Sequence, residues 1–217
     1  MPEQLGRLHV ITDTVFQTTR THAEIARLAL DGGADTIQYR EKRPLTTRAL
    51  MADTAAVLAE CRAAGALAIV DDRADVAAAV GATGLHVGRH DLPVDVARRI
   101  LGDAAIIGGT ANSLEEARTV FATAIDYIGV GPVFGTASKA NPAATMGLAT
   151  LGRICAESPV PVIAIGNITA DRLADVLAAG AYGVAVLSGI SCAPDPAAAA
   201  RIYASGITAW LAKGGTA

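Results

Sequence analysis

Short apolar runs rich in β-branched residues recur eight times along this chain, and longer stretches with helical spacing lie between them. The runs are LHVIT at 8–12, TIQY at 36–39, LAIV at 67–70, LHVG at 85–88, AIIGG at 105–109, YIGVG at 127–131, VIAIG at 162–166 and VAVLS at 184–188. Each is nearly continuous in apolar character, as a parallel strand covered on both faces must be. Helical periodicity is read over 21–31, 46–64, 93–101, 113–123 and 169–179. Thr21, Ser113 and Thr169 stand near helix starts, Ser113 with Glu116 matches a capping box, and Gly32, Gly65, Gly102 and Gly180 follow helix ends. Eight strand–helix units predict a single (β/α)8 barrel over residues 1–217, with a doubly wound open sheet as the competing architecture.

Composition narrows the functional classes. With 18 basic and 21 acidic residues and a net charge of −3, nothing marks a nucleic-acid or anionic-membrane partner. The uncharged stretch 176–194 holds Gly180, Gly183, Gly189 and Pro194, so it reads as helix end, turn and buried strand, not as a membrane span. No signal peptide is apparent. Cys61, Cys155 and Cys192 are odd in number and far apart, which fits reduced thiols in the cytoplasm.

In a parallel barrel the loops after the strands' C-terminal ends form one mouth, where such folds do chemistry. The chemically capable residues fall there. Gln38, Tyr39, Arg40, Glu41 and Lys42 follow the second run, Asp71, Asp72 and Arg73 the third, and Arg89, His90 and Asp91 the fourth. Thr110 follows the fifth, 131–139 the sixth, Asn167 the seventh, and Leu187 and Ser188 the eighth. The chain has three lysines against 15 arginines, and Lys42 and Lys139 are both in these loops, beside Arg40 and suited to an anion. Asp72 and Asp91 end neighbouring strands. Two carboxylates beside basic residues suit Mg²⁺, which shares its shell with substrate phosphate oxygens; each could instead be a helix cap or turn. Gly166-Asn167 opens a helix and offers N–H groups to a phosphate. His86 lies within a strand and reads as a packed core residue.

These motifs in one order resemble the thiamine-phosphate synthase family: QYREK at 38–42, DDRADVA at 71–77, GLHVGRHDLP at 84–93, DYIGVGPVFGTASK at 126–139, PVIAIGNIT and AGAYGVAVLSGI. The resemblance implies a (β/α)8 barrel and a Mg²⁺-dependent transferase. It would join a hydroxymethylpyrimidine diphosphate to a thiazole phosphate, releasing diphosphate. By position, Gln38, Tyr39, Arg40, Glu41, Lys42, Asp71, Thr110 and Lys139 would meet the pyrimidine diphosphate, with Arg40, Lys42 and Lys139 catalytic. Asp72 and Asp91 would hold Mg²⁺. Thr136, Ala137, Ser138, Asn167, Leu187 and Ser188 would line the thiazole phosphate site. The partners implied are small molecules, with no nucleic acid and no membrane, and a homo-oligomer is possible. Departures from the family pattern are Arg89-His90 for Gln-Glu, Gly135 for proline, Asn112 for histidine and Asn167 for glycine. Two rival functions are the related thiazole tautomerase, an isomerase, and a non-catalytic phosphate-binding barrel.

Overall fold

The computed structural model describes residues 5–136 and 143–215. Eight parallel strands close into a barrel in sequence order: β1 (Leu8–Thr12), β2 (Thr36–Tyr39), β3 (Leu67–Asp71), β4 (Gly84–Val87), β5 (Ile106–Ala111), β6 (Tyr127–Val130), β7 (Val162–Ile165) and β8 (Gly183–Val186). The last strand pairs back onto the first, Leu8 opposite Val184 and Val10 opposite Val186. An open sheet is thereby excluded. The helices are α1 (His22–Asp31), α2 (Thr47–Ala64), α3 (Ala74–Val80), α4 (Val94–Leu101), α5 (Leu114–Phe121), α6 (Gly147–Glu157), α7 (Leu173–Ala178), α8 (Ser188–Ser191) and α9 (Pro196–Ala212). A 3-10 turn at Ala170–Arg172 leads into α7. None of the helices among the described residues is long and apolar enough to cross a membrane, and the uncharged stretch 176–194 divides into the end of α7, β8 and α8.

Local chemistry explains the boundaries. Thr21 and Glu24 form a full capping box before α1, with Thr21 Oγ1 accepting from the Glu24 N–H at 3.2 Å and Glu24 Oε2 accepting from the Thr21 N–H at 2.7 Å. The expected box at Ser113 is only half made. Ser113 Oγ accepts from the Glu116 N–H at 3.1 Å, but the Glu116 carboxylate turns to the Asn112 N–H at 2.7 Å and to Arg89 instead. Helix α2 ends on Gly65 in the left-handed conformation (φ 67°, ψ 26°). After α1 that conformation falls to Gly33 (φ 95°), because Gly32 remains right-handed at φ −85°.

Period-2 alternation within each strand divides the core in two. Outward residues such as Val10, Ile37, Val70, Leu85, Ile107, Ile128 and Val184 pack under the helices. Inside the barrel, Ile11, Ile69, Ile106, Tyr127, Ile163 and Ala185 form a smaller cluster; each buried isoleucine there contributes roughly 1.5–3 kcal/mol. The strand register sets Asp71, His86, Gly108 and Tyr127 side by side across β3, β4, β5 and β6, with Thr110 opposite Gly129. Towards the C-terminal ends the interior is therefore polar and small on β2–β6, and apolar on β7, β8 and β1.

Candidate active site

A cavity of about 690 Å³ opens at the C-terminal ends of the strands. Glycines make the room. A Cβ on Gly108 would collide with the Tyr127 ring, and one on Gly129 would lie 2.9 Å from His86 Cε1. The apolar side of the wall is Ile11, Ile163, Ile165 and Ala185, and the polar side carries Gln38, Arg40, Lys42, Asp71, Asp72, His86, Asp91, Thr110 and Asn112.

Strand β2 and the residues after it set the first cluster. Alternation turns Gln38, Arg40 and Lys42 into the mouth. Gln38 Nε2 donates to Asp71 Oδ1 at 2.8 Å, and Lys42 Nζ lies 3.2 Å from Asp71 Oδ2 and pairs with Asp72. Arg40 pairs with the fully buried Asp13 and lies 3.8 Å from Asp71. Asp13 is itself fixed by accepting the Val15 N–H at 2.7 Å. Sequence reasoning passed over Asp13, whose place one residue beyond β1 was the available signal.

The same alternation turns the Tyr39 and Glu41 side chains away from the cavity, so of the 38–42 stretch only Gln38, Arg40 and Lys42 line its wall. Tyr39 is buried against His22, ring centroids 4.5 Å apart. Glu41 accepts from the Arg43 N–H at 2.7 Å, from Arg43 Nε at 2.8 Å and from the Thr14 hydroxyl at 3.0 Å, and it lies 3.3 Å from His22 Nε2. Burial alone would raise its pKa, but Arg43, His22 and Thr14 together pull it down to about 2. His22, Glu41 and Asp53 are the one group of three acidic or imidazole side chains among the described residues close enough to share a metal ion. The Arg43 guanidinium already occupies the Glu41 carboxylate there, so this group reads as a structural clamp.

Asp72 and Asp91 meet at the ends of β3 and β4. Asp72 takes a left-handed backbone, φ 62°, a conformation that aspartate tolerates better than most residues. The helix-cap alternative for Asp72 fails, since Arg73 holds the position before α3 and makes no side-chain cap bond. Asp91 Oδ2 accepts the Gly88 N–H at 2.8 Å, so it does serve its turn. Burial alone would raise Asp72, but a hydrogen bond from Asp91 and the contact with Lys42 outweigh it and hold the carboxyl below its usual range. Burial and then Asp72 push Asp91 up. The two carboxyl groups sit together at a place where a divalent cation would neutralise both, a donor set that fits Mg²⁺. Burial raises Asp71, with Asp72 adding to it. Lys42 would be lowered by burial alone; Asp71 and Asp72 more than offset that and raise it.

Across the cavity floor, His86 is a cavity residue and not the packed core residue expected from its place in a strand. Its Nε2 lies 2.8 Å from Thr110 Oγ1 and its Nδ1 lies 3.0 Å from the Tyr127 hydroxyl. The signal was its register partner, since His86 stands opposite Asp71. Asn112 donates its side-chain amide to the Gly131 carbonyl. Thr136 reaches the cavity wall, whereas Ala137, Ser138 and Lys139 lie outside the described residues. Asn167, Leu187 and Ser188 follow β7 and β8 on the rim, with Asn167 and Ser188 exposed and none of the three in the cavity wall. Asn167 adopts φ 48° after Gly166 at φ 108°, the left-handed backbone that asparagine accepts in place of glycine.

Comparison with known proteins gives these features a family. The family model described as thiamine monophosphate synthase matches residues 8–190. The thiamine-phosphate synthase of Salinibacter ruber is 46% identical over 205 residues, covering 94% of this chain and 90% of that protein. That of Methanoculleus marisnigri is 46% identical over 207 residues, covering 95% and 98%. The structure of thiamine phosphate pyrophosphorylase from Pyrococcus furiosus superposes with a TM-score of 0.86 at 36% identity, over 94% of this chain and 96% of that one. A geranylgeranylglyceryl phosphate synthase from Thermoplasma acidophilum, 14% identical with a TM-score of 0.69, shares the fold alone. With matched residues running from the first strand to the helix after the last, this chain belongs to the thiamine-phosphate synthase family.

Proposed function

We propose that this enzyme condenses 4-amino-2-methyl-5-(diphosphooxymethyl)pyrimidine with a thiazole phosphate, giving thiamine phosphate and diphosphate, and that it does so with Mg²⁺. The observation that carries the reading is the convergence of Gln38, Arg40, Lys42, Asp71, Asp72 and Asp91 on one side of a cavity whose other side is apolar. The polar side suits a diphosphate, and Ile11, Ile163 and Ile165 suit the faces of two small rings. Asp72 and Asp91 would hold the metal ion, which when bound would add positive charge beside the departing diphosphate. Arg40 and Lys42 meet the negative charge that develops on the leaving group, and Lys139 is assigned the same task. Asp13 holds the Arg40 guanidinium in place before substrate arrives. Thr110 faces the pyrimidine, and Thr136, Ala137, Ser138, Asn167, Leu187 and Ser188 are assigned to the thiazole phosphate. As diphosphate leaves, the pyrimidine methylene becomes cation-like and the thiazole ring nitrogen attacks it. That nitrogen carries no proton, so no general base is needed, and juxtaposing two substrates supplies much of the acceleration.

The substrates are small molecules, and the cytoplasm fits the three free thiols. The purified protein, given both substrates and Mg²⁺, is expected to release diphosphate only when the thiazole phosphate is present. Asp72→Ala and Lys139→Ala are each expected to lower turnover at least about 100-fold. Absence of thiazole-dependent release would overturn the reading and return the tautomerase and the phosphate-binding barrel.

A further inference from the structure

Three hydroxyl and imidazole groups on the cavity floor form one chain, and counting their protons fixes its direction. The Thr110 hydroxyl has two partners: His86 Nε2 at 2.8 Å and the Val87 carbonyl at 3.1 Å. A carbonyl only accepts, so toward Val87 the hydroxyl donates. Its single proton is then committed, and it must accept from His86. That places a proton on Nε2. Nδ1 is left to accept from the Tyr127 hydroxyl 3.0 Å away. The reverse order would have Thr110 donate to Nε2 and Nδ1–H donate to Tyr127. The phenol proton of Tyr127, a fully buried side chain, would then have no acceptor among the described residues. Leaving a buried donor unpaired is the costlier arrangement. Burial also pushes the Tyr127 phenol up, so it keeps the proton it donates.

We infer that Tyr127 and His86 act as positioning residues that hold the Thr110 hydroxyl as a hydrogen-bond acceptor, selecting a substrate ring that presents an amino N–H over one that presents a carbonyl. The inference rests on the proposed reaction for the identity of the ring. Thr110 has two lone pairs, one taken by His86, and the other is available to the cavity that it lines. An exocyclic amine donates to it. A 4-oxo pyrimidine would set a carbonyl oxygen against it, and sites built around one hydrogen bond discriminate strongly against a mismatched partner. The glycines at 108 and 129 are part of the device, because side chains there would displace the Tyr127 and His86 rings.

Nitrogen-15 spectra of the folded, substrate-free protein read the tautomer directly, with the His86 signals assigned by their loss in His86→Gln. The expected result is a neutral ring protonated on Nε2, with the Nδ1 resonance moving selectively in Tyr127→Phe. A ring protonated on Nδ1, or on both nitrogens, overturns the inference whatever the enzyme's substrate. Competition between the amino pyrimidine diphosphate and its 4-oxo analogue gives the second readout. Wild type is expected to favour the amino form by at least about 100-fold. His86→Gln, whose amide donates and accepts as the imidazole does, keeps that preference within about threefold. His86→Leu loses at least about tenfold of it, through KM for the amino form more than through kcat. Equal preference in the Gln and Leu variants overturns the inference. Failure of all diphosphate release, with the Nε2 tautomer intact, removes the proposed reaction and leaves the hydrogen-bond chain standing.

Discussion

Glu41→Gln tests the clamp behind the mouth, because it removes a charge and almost no volume. The Glu41 side chain is 1% exposed and accepts from Arg43, Thr14 and His22. Holding its carboxyl at about 2 instead of the usual 4.5 corresponds to roughly 3 kcal/mol at neutral pH. Its main partner, Arg43, is 46% exposed, so water screens part of that and about 2 kcal/mol is the better figure. With an unfolding entropy of about 2.1 cal/mol/K per residue, a chain of this length loses about 4 °C of Tm. The sign of the pH dependence follows from the depressed pKa. The stabilisation is complete above pH 4.5 and disappears as pH falls from there through about 2. Thermal unfolding of wild type and Glu41→Gln, scanned side by side, is therefore expected to show a gap of about 4 °C at pH 7. It shrinks to roughly 60% of that at pH 3.5 and nearly closes at pH 2. Equal Tm values at pH 7, or a gap that widens on acidification, would refute the clamp.

Three further outcomes are expected. Gly108→Ala forces a methyl group into the Tyr127 ring and lowers stability by about 1–3 kcal/mol, read as a lower urea midpoint; an unchanged midpoint refutes the packing described. Inorganic diphosphate is expected to bind in a calorimeter when Mg²⁺ is present and at least about tenfold more weakly without it, a difference that Asp72→Asn abolishes. Equally tight binding without the metal ion would sink the assignment of Asp72 and Asp91. A thiol reagent at pH 8 should modify exposed Cys192 first, then half-buried Cys155, and Cys61 only on unfolding. Burial pushes the Cys61 thiol up to about 12 and that of Cys155 to about 11. Rapid labelling of Cys61 in the native protein contradicts its placement.

The barrel was legible because each of its strands is a short, largely apolar run set off by glycine, proline or charged residues and followed by a longer helical stretch, a pattern few other folds share. Helix α6 was not read from the sequence, since it begins at Met146-Gly147 with no side-chain cap and no charge in its first turn. The four-residue α8 is shorter than any helical period can reveal. At the site, spacing placed Gln38, Arg40, Lys42, Asp71, Asp72 and Asp91 at one mouth, because every one of them lies at or just past a strand end. What spacing did not resolve was parity. Tyr39 and Glu41 share that stretch with Arg40, yet a period of two turns them to the helix layer. His86 was misplaced for the converse reason: a strand histidine looks like core until its register with Asp71 is known, and register is a tertiary property.

Parity also changes what the charges at the mouth do. Arg40 is taken up by buried Asp13, and Arg89 by Glu116. Lys42 is left facing Asp71 and Asp72 directly, with Asp91 beyond them. Among the described residues that sets one ammonium against three carboxyl groups, which by itself does not attract an anion. Among the described residues the mouth carries a surplus of carboxyl groups, in keeping with the raised Asp71 and Asp91. On the proposed function, a diphosphate entering here would need that surplus negative charge neutralised, and a divalent ion on Asp72 and Asp91 would do so while leaving Lys42 and Arg40 as donors. The acidic pair and the basic pair would then be parts of one device. The carboxylates would not compete with the substrate for the basic residues; they would hold the charge that makes an anionic substrate admissible.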